Sequence, residues 1–251
     1  MADVPPNNSA ARRLLNVLKV AEGCQPNMAA HKAWAAAFNL PEGDLRSIYR
    51  SLAQLSDLAV EVRDAVKAQP IDQDLHLRWV PFVEGALASA NLTQGWESVK
   101  VRLSPTNLTS LEFVAHFDRL PAVEPLLPAE VLKELLAETR RLFEVVERDV
   151  EDEGLRRDIL RRLRGIEKSI IDYRITGARG MTSAAIEATG EAAYAWVQVG
   201  GTVGRAALRG VVTLAARICW KVTLKAPLLP PGMEIELGAG GDGAPVAPQV
   251  K

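Results

Sequence analysis

The sequence predicts an all-α protein, a multi-helix bundle, on three observations. Alanine and leucine dominate the apolar residues while aromatics make up only 5% of the chain, a composition that suits helices better than strands. Apolar positions recur at spacings of three and four over long stretches, which is the helical period. Proline, glycine and capping residues fall between those stretches, where helices start and stop. With 251 residues and 48% hydrophobic content, the chain has material for one large core or two small ones.

A first helix is expected from Ser9, its N-cap, to Ala21, with Leu14, Leu15 and Leu18 on one side and Gly23 ending it. A second follows Pro26 through Ala30, Trp34 and Phe38 and closes at Pro41 and Gly43. The third is the clearest: with Asp44 as N-cap, Leu45, Ile48, Leu52, Leu55, Ala59, Val62 and Val66 alternate spacings of three and four up to Pro70. It would be about 39 Å long. So long a seam needs a long partner, either the Val131 to Val150 helix or a second copy of the chain, and self-association through Leu45–Val66 is one expectation. From Ile71 to Leu103 the pattern blurs around Pro81, Gly85 and Gly95. Ser104 and Pro105 restart a helix that runs toward Pro121.

Pro121, Pro125 and Pro128 mark an internal boundary. Beyond it, Leu132, Leu135, Thr139, Leu142, Val146 and Val150 form one stripe, while Leu155, Ile159, Leu163, Ile166 and Ile170 form another, rotated by about a third of a turn. One straight helix cannot bury both against one neighbour, so a break near Glu151 to Gly154, with Asp152 as N-cap, makes an αα-hairpin. Acidic Glu144, Glu147, Asp149 and Glu151 should then face Arg156, Arg157, Arg161 and Arg162. The division is 1–120, an N-terminal helical region; 128–176, the central hairpin; 177–225, a Gly/Ala-rich basic amphipathic region; and 226–251, a disordered tail.

Composition excludes several classes of function. The 30 basic and 31 acidic residues leave a net charge of -1, so no global field favours a polyanion. Cys24 and Cys219 are far apart and form no CxxC pair, which argues against a disulfide framework or a zinc site and fits a reducing cytoplasm. Residues 1–11 lack the basic start and apolar run of a secretory signal, and Asn7, Asn91 and Asn107 in glycosylation tripeptides are read as coincidence. His31, His76 and His116 are isolated and read as structural. No nucleophile elbow and no acid/base pair is evident, so no metal, cofactor or catalytic residue is assigned. A phosphate loop at Gly200 to Arg205, preceded by a strand from Tyr194 to Val199, fits neither standard glycine spacing.

The sharpest feature lies near the C-terminal end. From Ala192 to Leu224 there is no acidic residue, and Arg205, Arg209, Arg217, Lys221 and Lys225 fall at multiples of four, forming one polar stripe on a helix. Trp196 and Trp220, 24 residues apart, bracket the segment at about 36 Å if it is helical throughout. Three arginines inside it disfavour a lone membrane span, but a helix lying on anionic headgroups, which suits five cations, or one whose arginines face a water-filled pore in an oligomer escapes that cost. Small residues at Gly200, Gly204, Ala206 and Gly210 allow close helix contact. The functional expectation is a non-enzymatic interaction protein of the cytoplasm whose basic helix engages the inner face of a membrane or self-associates, in its extreme form as a membrane-perturbing bacterial effector. The alternatives are a soluble nucleic-acid-associated regulator, using Arg161 and its basic neighbours, and a plain helical scaffold.

Overall fold

The structure, a computed structural model, describes residues 8–88, 92–116, 124, 126–198 and 202–223. The described residues are helical throughout apart from connections and one isolated β-bridge, Ala29 with Gly95. In chain order the helices are α1 (Ala10–Glu22), α2 (Ala30–Phe38), α3 (Leu45–Lys67), α4 (Gln73–His76), α5 (Val80–Leu87), α6 (Glu97–Lys100), a 3-10 turn (Val101–Leu103), α7 (Pro105–Ala115), α8 (Ala129–Asp149), α9 (Glu153–Ile171), α10 (Tyr173–Gln198) and α11 (Thr202–Thr223). The expected tail, 226–251, and the boundary around Pro121 lie outside the described residues.

The caps expected from sequence form as hydrogen bonds to otherwise unpaired helix N–H groups. Ser9 Oγ accepts from Arg12 N at 3.3 Å, Asp44 Oδ1 from Ser47 N at 3.0 Å, and Ser104 Oγ from Asn107 N at 3.4 Å. Asp152 Oδ1 accepts from Leu155 N at 2.7 Å, so the chain turns between Asp149 and Glu153 as the shift of apolar phase requires. Asp152→Ala should cost about 1 kcal/mol of stability, read as a shift of the urea midpoint; no shift would mean the cap is dispensable. One stop was missed. Asn39, not Pro41, ends α2, in a left-handed conformation (φ 57°, ψ 46°) that asparagine tolerates.

Two apolar cores result. The first is built from α1 to α7, with Ile175 added from α10. Its seam on α3, from Ile48 to Val66, is buried against α1, α2 and α5. That differs from the expected partners: α8 lies in the other core, and a second copy could reach the seam only by displacing this packing. The described part of the blurred stretch from Ile71 to Leu103 holds the short helices α4, α5 and α6 and a 3-10 turn, with Trp79 and Trp96 completely buried and Trp96 edge-on to Trp34. The second core combines α8 and α9 with α10 and α11, so the hairpin and the C-terminal helices share one interior. Buried Leu135, Thr139 and Val146 face Ile159, Leu163 and Ile166 as their phases predict. The acidic and basic rows of the hairpin do not pair as expected. Arg157 bonds Glu153 on its own helix and Arg162 reaches Glu191 on α10, while Arg140 to Glu167, at 3.0 Å, is a pair that crosses the hairpin.

A buried polar joint connects the two cores. Arg13 on α1, 4% exposed, donates from Nε to Ile175 O at 3.0 Å and from Nη1 to Asn8 O at 2.9 Å, and pairs with Glu124 Oε2 at 3.0 Å. The same carboxylate oxygen accepts from Ala178 N at 2.7 Å, so Glu124 caps a helical segment that begins after Gly177. Gly177 (φ 65°, ψ -164°) interrupts α10 in a region of backbone space that only glycine occupies freely. Nearby, the Tyr173 hydroxyl accepts from Leu127 N at 2.8 Å, and Gln54 on α3 donates to Asp172 at 3.1 Å.

Candidate functional site

The C-terminal helix α11 divides its residues sharply. Ala207, Leu208, Val211, Leu214, Ala215 and Ile218 are buried in the second core, while Arg205, Arg209, Thr213, Ala216 and Trp220 are exposed on the other side. With exposed Val203, Ala206 and Arg217 included, the outer side of α11 covers nearly half a turn at 100° per residue, and Arg205, Arg209 and Trp220 lie within about 60° of one another on it. Trp220 is 40% exposed, an aromatic ring among cations. Gly210 carries no side chain because Leu142 of α8 occupies the space: a Cβ there would meet Leu142 Cδ2 at 2.9 Å. The small residue thus serves close helix contact, here inside the bundle.

The predicted cations do not all share one environment. Arg205 and Arg209 lie on the outer face. Arg217 bonds Glu138 Oε2 at 2.6 Å and Lys221 bonds Glu134 Oε2 at 2.5 Å, both on α8. The order of these pairs, 217 with 138 and 221 with 134, makes α8 and α11 antiparallel. A sequence signal for them existed, since Glu134 and Glu138 repeat the four-residue spacing of Arg217 and Lys221. The hydrogen bond and charge of Lys221 hold the Glu134 carboxyl below the usual carboxylate range. A depressed folded-state pKa means that this contribution is present above the ordinary carboxylate pKa and is lost as pH falls through the lowered one.

Lys225 and the side chain of Trp196 lie outside the described residues. Trp196 belongs to α10 and Trp220 to α11, so the two tryptophans do not bracket one continuous helix. Tyr194 to Gln198 are helical, which removes the strand that a phosphate loop would need. Among the described residues no helix is long and apolar enough to cross a membrane, and no group of three metal-ligating side chains occurs. Burial pushes the Cys24 and Cys219 thiols up, away from nucleophilic character. His31, His76 and His116 each turn Nδ1 to a backbone carbonyl.

A second cationic row was legible in sequence only as a cluster. On α9, Arg157, Arg161, Arg164 and Lys168 are exposed along one face, whereas Arg162 is buried and Arg156 is half-buried. The joint at Arg13, Glu124 and Gly177 was missed altogether. Its members are scattered through the chain, Ile175 lying 162 positions after Arg13, and no local pattern links them. No protein-family model, curated protein or solved structure matches this chain.

Proposed function

We propose that the protein is a non-enzymatic interaction module whose C-terminal bundle presents the outer face of α11 to an anionic membrane surface. The observation that carries this reading is the composition of that face: exposed Arg205, Arg209 and Trp220 in a segment without acidic residues, on a helix whose opposite side is committed to the core. Cations attract anionic headgroups and an interfacial tryptophan suits the boundary between water and lipid. The binding proposed is peripheral, since α11, with Arg205, Arg209, Arg217 and Lys221 along its 22 residues, is too charged for a span. Arg217 and Lys221 also hold α11 on α8 through Glu138 and Glu134, so the test of the face is made at Arg205 and Arg209.

Flotation with phosphatidylserine-containing and with pure phosphatidylcholine vesicles tests this. Each surface cation contributes about 1 kcal/mol near an anionic membrane, so removing both arginines as Arg205→Gln and Arg209→Gln should lower partitioning by roughly thirtyfold. Helical content should stay unchanged, because both side chains point outward. Rising salt should weaken wild-type binding. Failure of the wild-type protein to float with anionic vesicles at low salt sinks the proposal. A second reading, supported by the row Arg157, Arg161, Arg164 and Lys168 on α9, is a polyanion such as nucleic acid. Steeply salt-dependent duplex binding, lost in Arg164→Gln with Lys168→Gln but kept in the α11 variant, would favour it.

A further inference from the structure

Beside the joint between the two cores lies a cavity of about 290 Å³, at the small end of the range for ligand sites. Its buried lining residues include Asn8, Arg13 and Tyr173. These polar groups already bond one another and the backbone: Arg13 Nη1 to Asn8 O, Asn8 Nδ2 to the Tyr173 hydroxyl at 3.4 Å, and Leu127 N to the same hydroxyl. Apolar surface comes from Val17, Ala37, Val20 and Leu126, the last two 46% and 45% exposed at the opening. Asn16 and Arg174, both exposed, complete the rim. Among the described residues no carboxylate lines the cavity, and Glu124 is engaged by Arg13 and the backbone at 178. The opening therefore joins a guanidinium and a carboxamide to an apolar pocket whose inner polar groups are satisfied.

We propose that this cavity binds a small organic carboxylate with a short unbranched apolar chain. Arg174 and Asn16 donate to the carboxylate at the rim, where a charged head keeps part of its hydration. The chain lies against Val17, Val20 and Leu126 and covers apolar surface that is otherwise wet. The site spans residues from both cores, so an occupant also ties α1 to the start of α10. It is independent of the outer face of α11.

Calorimetric titration of the full chain with octanoate, without vesicles, tests the site against octanol and acetate. Octanoate should bind saturably at a single site and raise the melting temperature with concentration. Octanol, lacking the charge, and acetate, lacking the chain, should each bind at least about tenfold more weakly. Arg174→Gln should weaken octanoate by about tenfold, the size of one charge-assisted hydrogen bond. Val20→Trp, at an exposed helix position, should close the opening and abolish binding, with circular dichroism confirming that both variants keep their helices. No saturable octanoate binding at millimolar concentration, equal binding of octanol, an affinity unchanged by Arg174→Gln, or binding that survives Val20→Trp overturns the proposal.

Discussion

Replacing Gly177 with valine should remove about 4 kcal/mol or more of stability, by the sum of two separate costs. Its backbone, at φ 65° and ψ -164°, lies where side chains with a Cβ are strained by about 1 to 3 kcal/mol. A Cβ would also fall on Glu124 Oε2 and come within 2.7 Å of Arg13 Nη1. Neither atom can give way cheaply, because they form a buried ion pair whose rupture leaves an uncompensated charge, at about 3 to 5 kcal/mol. Urea denaturation followed by circular dichroism reads the loss directly. Glu124→Gln alone breaks the ion pair and leaves the glycine backbone unstrained, so the further loss in Gly177→Val beyond that variant reads the backbone strain. A loss below about 1 kcal/mol for Gly177→Val would refute the account of the joint, since ordinary surface changes already reach half of that.

Trp96→Ala should cost about 3 to 5 kcal/mol, the usual penalty for deleting a fully buried large aromatic side chain. Trp96 is completely buried and meets Trp34 edge-on, with centroids 5.2 Å apart and planes at 82°. Trp34 in turn stacks on Phe38 at 5.7 Å, and such aromatic pairs add about 0.5 to 1.5 kcal/mol each beyond their buried area. The ring also anchors a backbone clip, in which Trp96 N donates to Met28 O at 2.8 Å and Ala30 N to Gln94 O at 3.0 Å. Trp96→Phe should be much milder, because Trp96 Nε1 has no hydrogen-bond partner to lose. Equal losses for the two substitutions would show that the clip, not the ring, depends on the indole.

Legibility followed the range of the forces involved. Helices α1, α3, α7 and α9 were readable to within a few residues because Ser9, Asp44, Ser104 and Asp152 act on N–H groups three positions away. The hairpin was readable because a change of apolar phase is a local geometric fact. The stretch around Trp79 and Trp96 was not, since four-residue helices such as α4 and α6 are too short to show a periodic pattern, and α6 is held by buried Trp96 and Val99 rather than by its own sequence. α10 was hidden by Gly177 and Gly180, which look like a linker but sit where a close approach demands them: a Cβ on Gly180 would run into Thr176. For the candidate site, the outward side of Arg205, Arg209 and Trp220 follows from the helical wheel. The commitment of Arg217 and Lys221 to α8 depends on which helices become neighbours, and only their shared spacing with Glu138 and Glu134 hinted at it.

The placement of Ile175 and of the acceptors of Arg13 also orders events during synthesis. Residues 8–116 emerge from the ribosome first and contain nearly every member of the first core, yet α1 at that stage lacks Ile175, whose carbonyl and side chain both serve it. A nascent N-terminal half therefore carries a hydrated guanidinium at Arg13 and an uncovered apolar spot beside it. Domains commonly fold as they are made, the N-terminal one first, so the first core would form with this scar open. It is sealed only when translation has passed α9 and the start of α10 docks. Until then the growing chain has a built-in vacancy that accepts its own later segment.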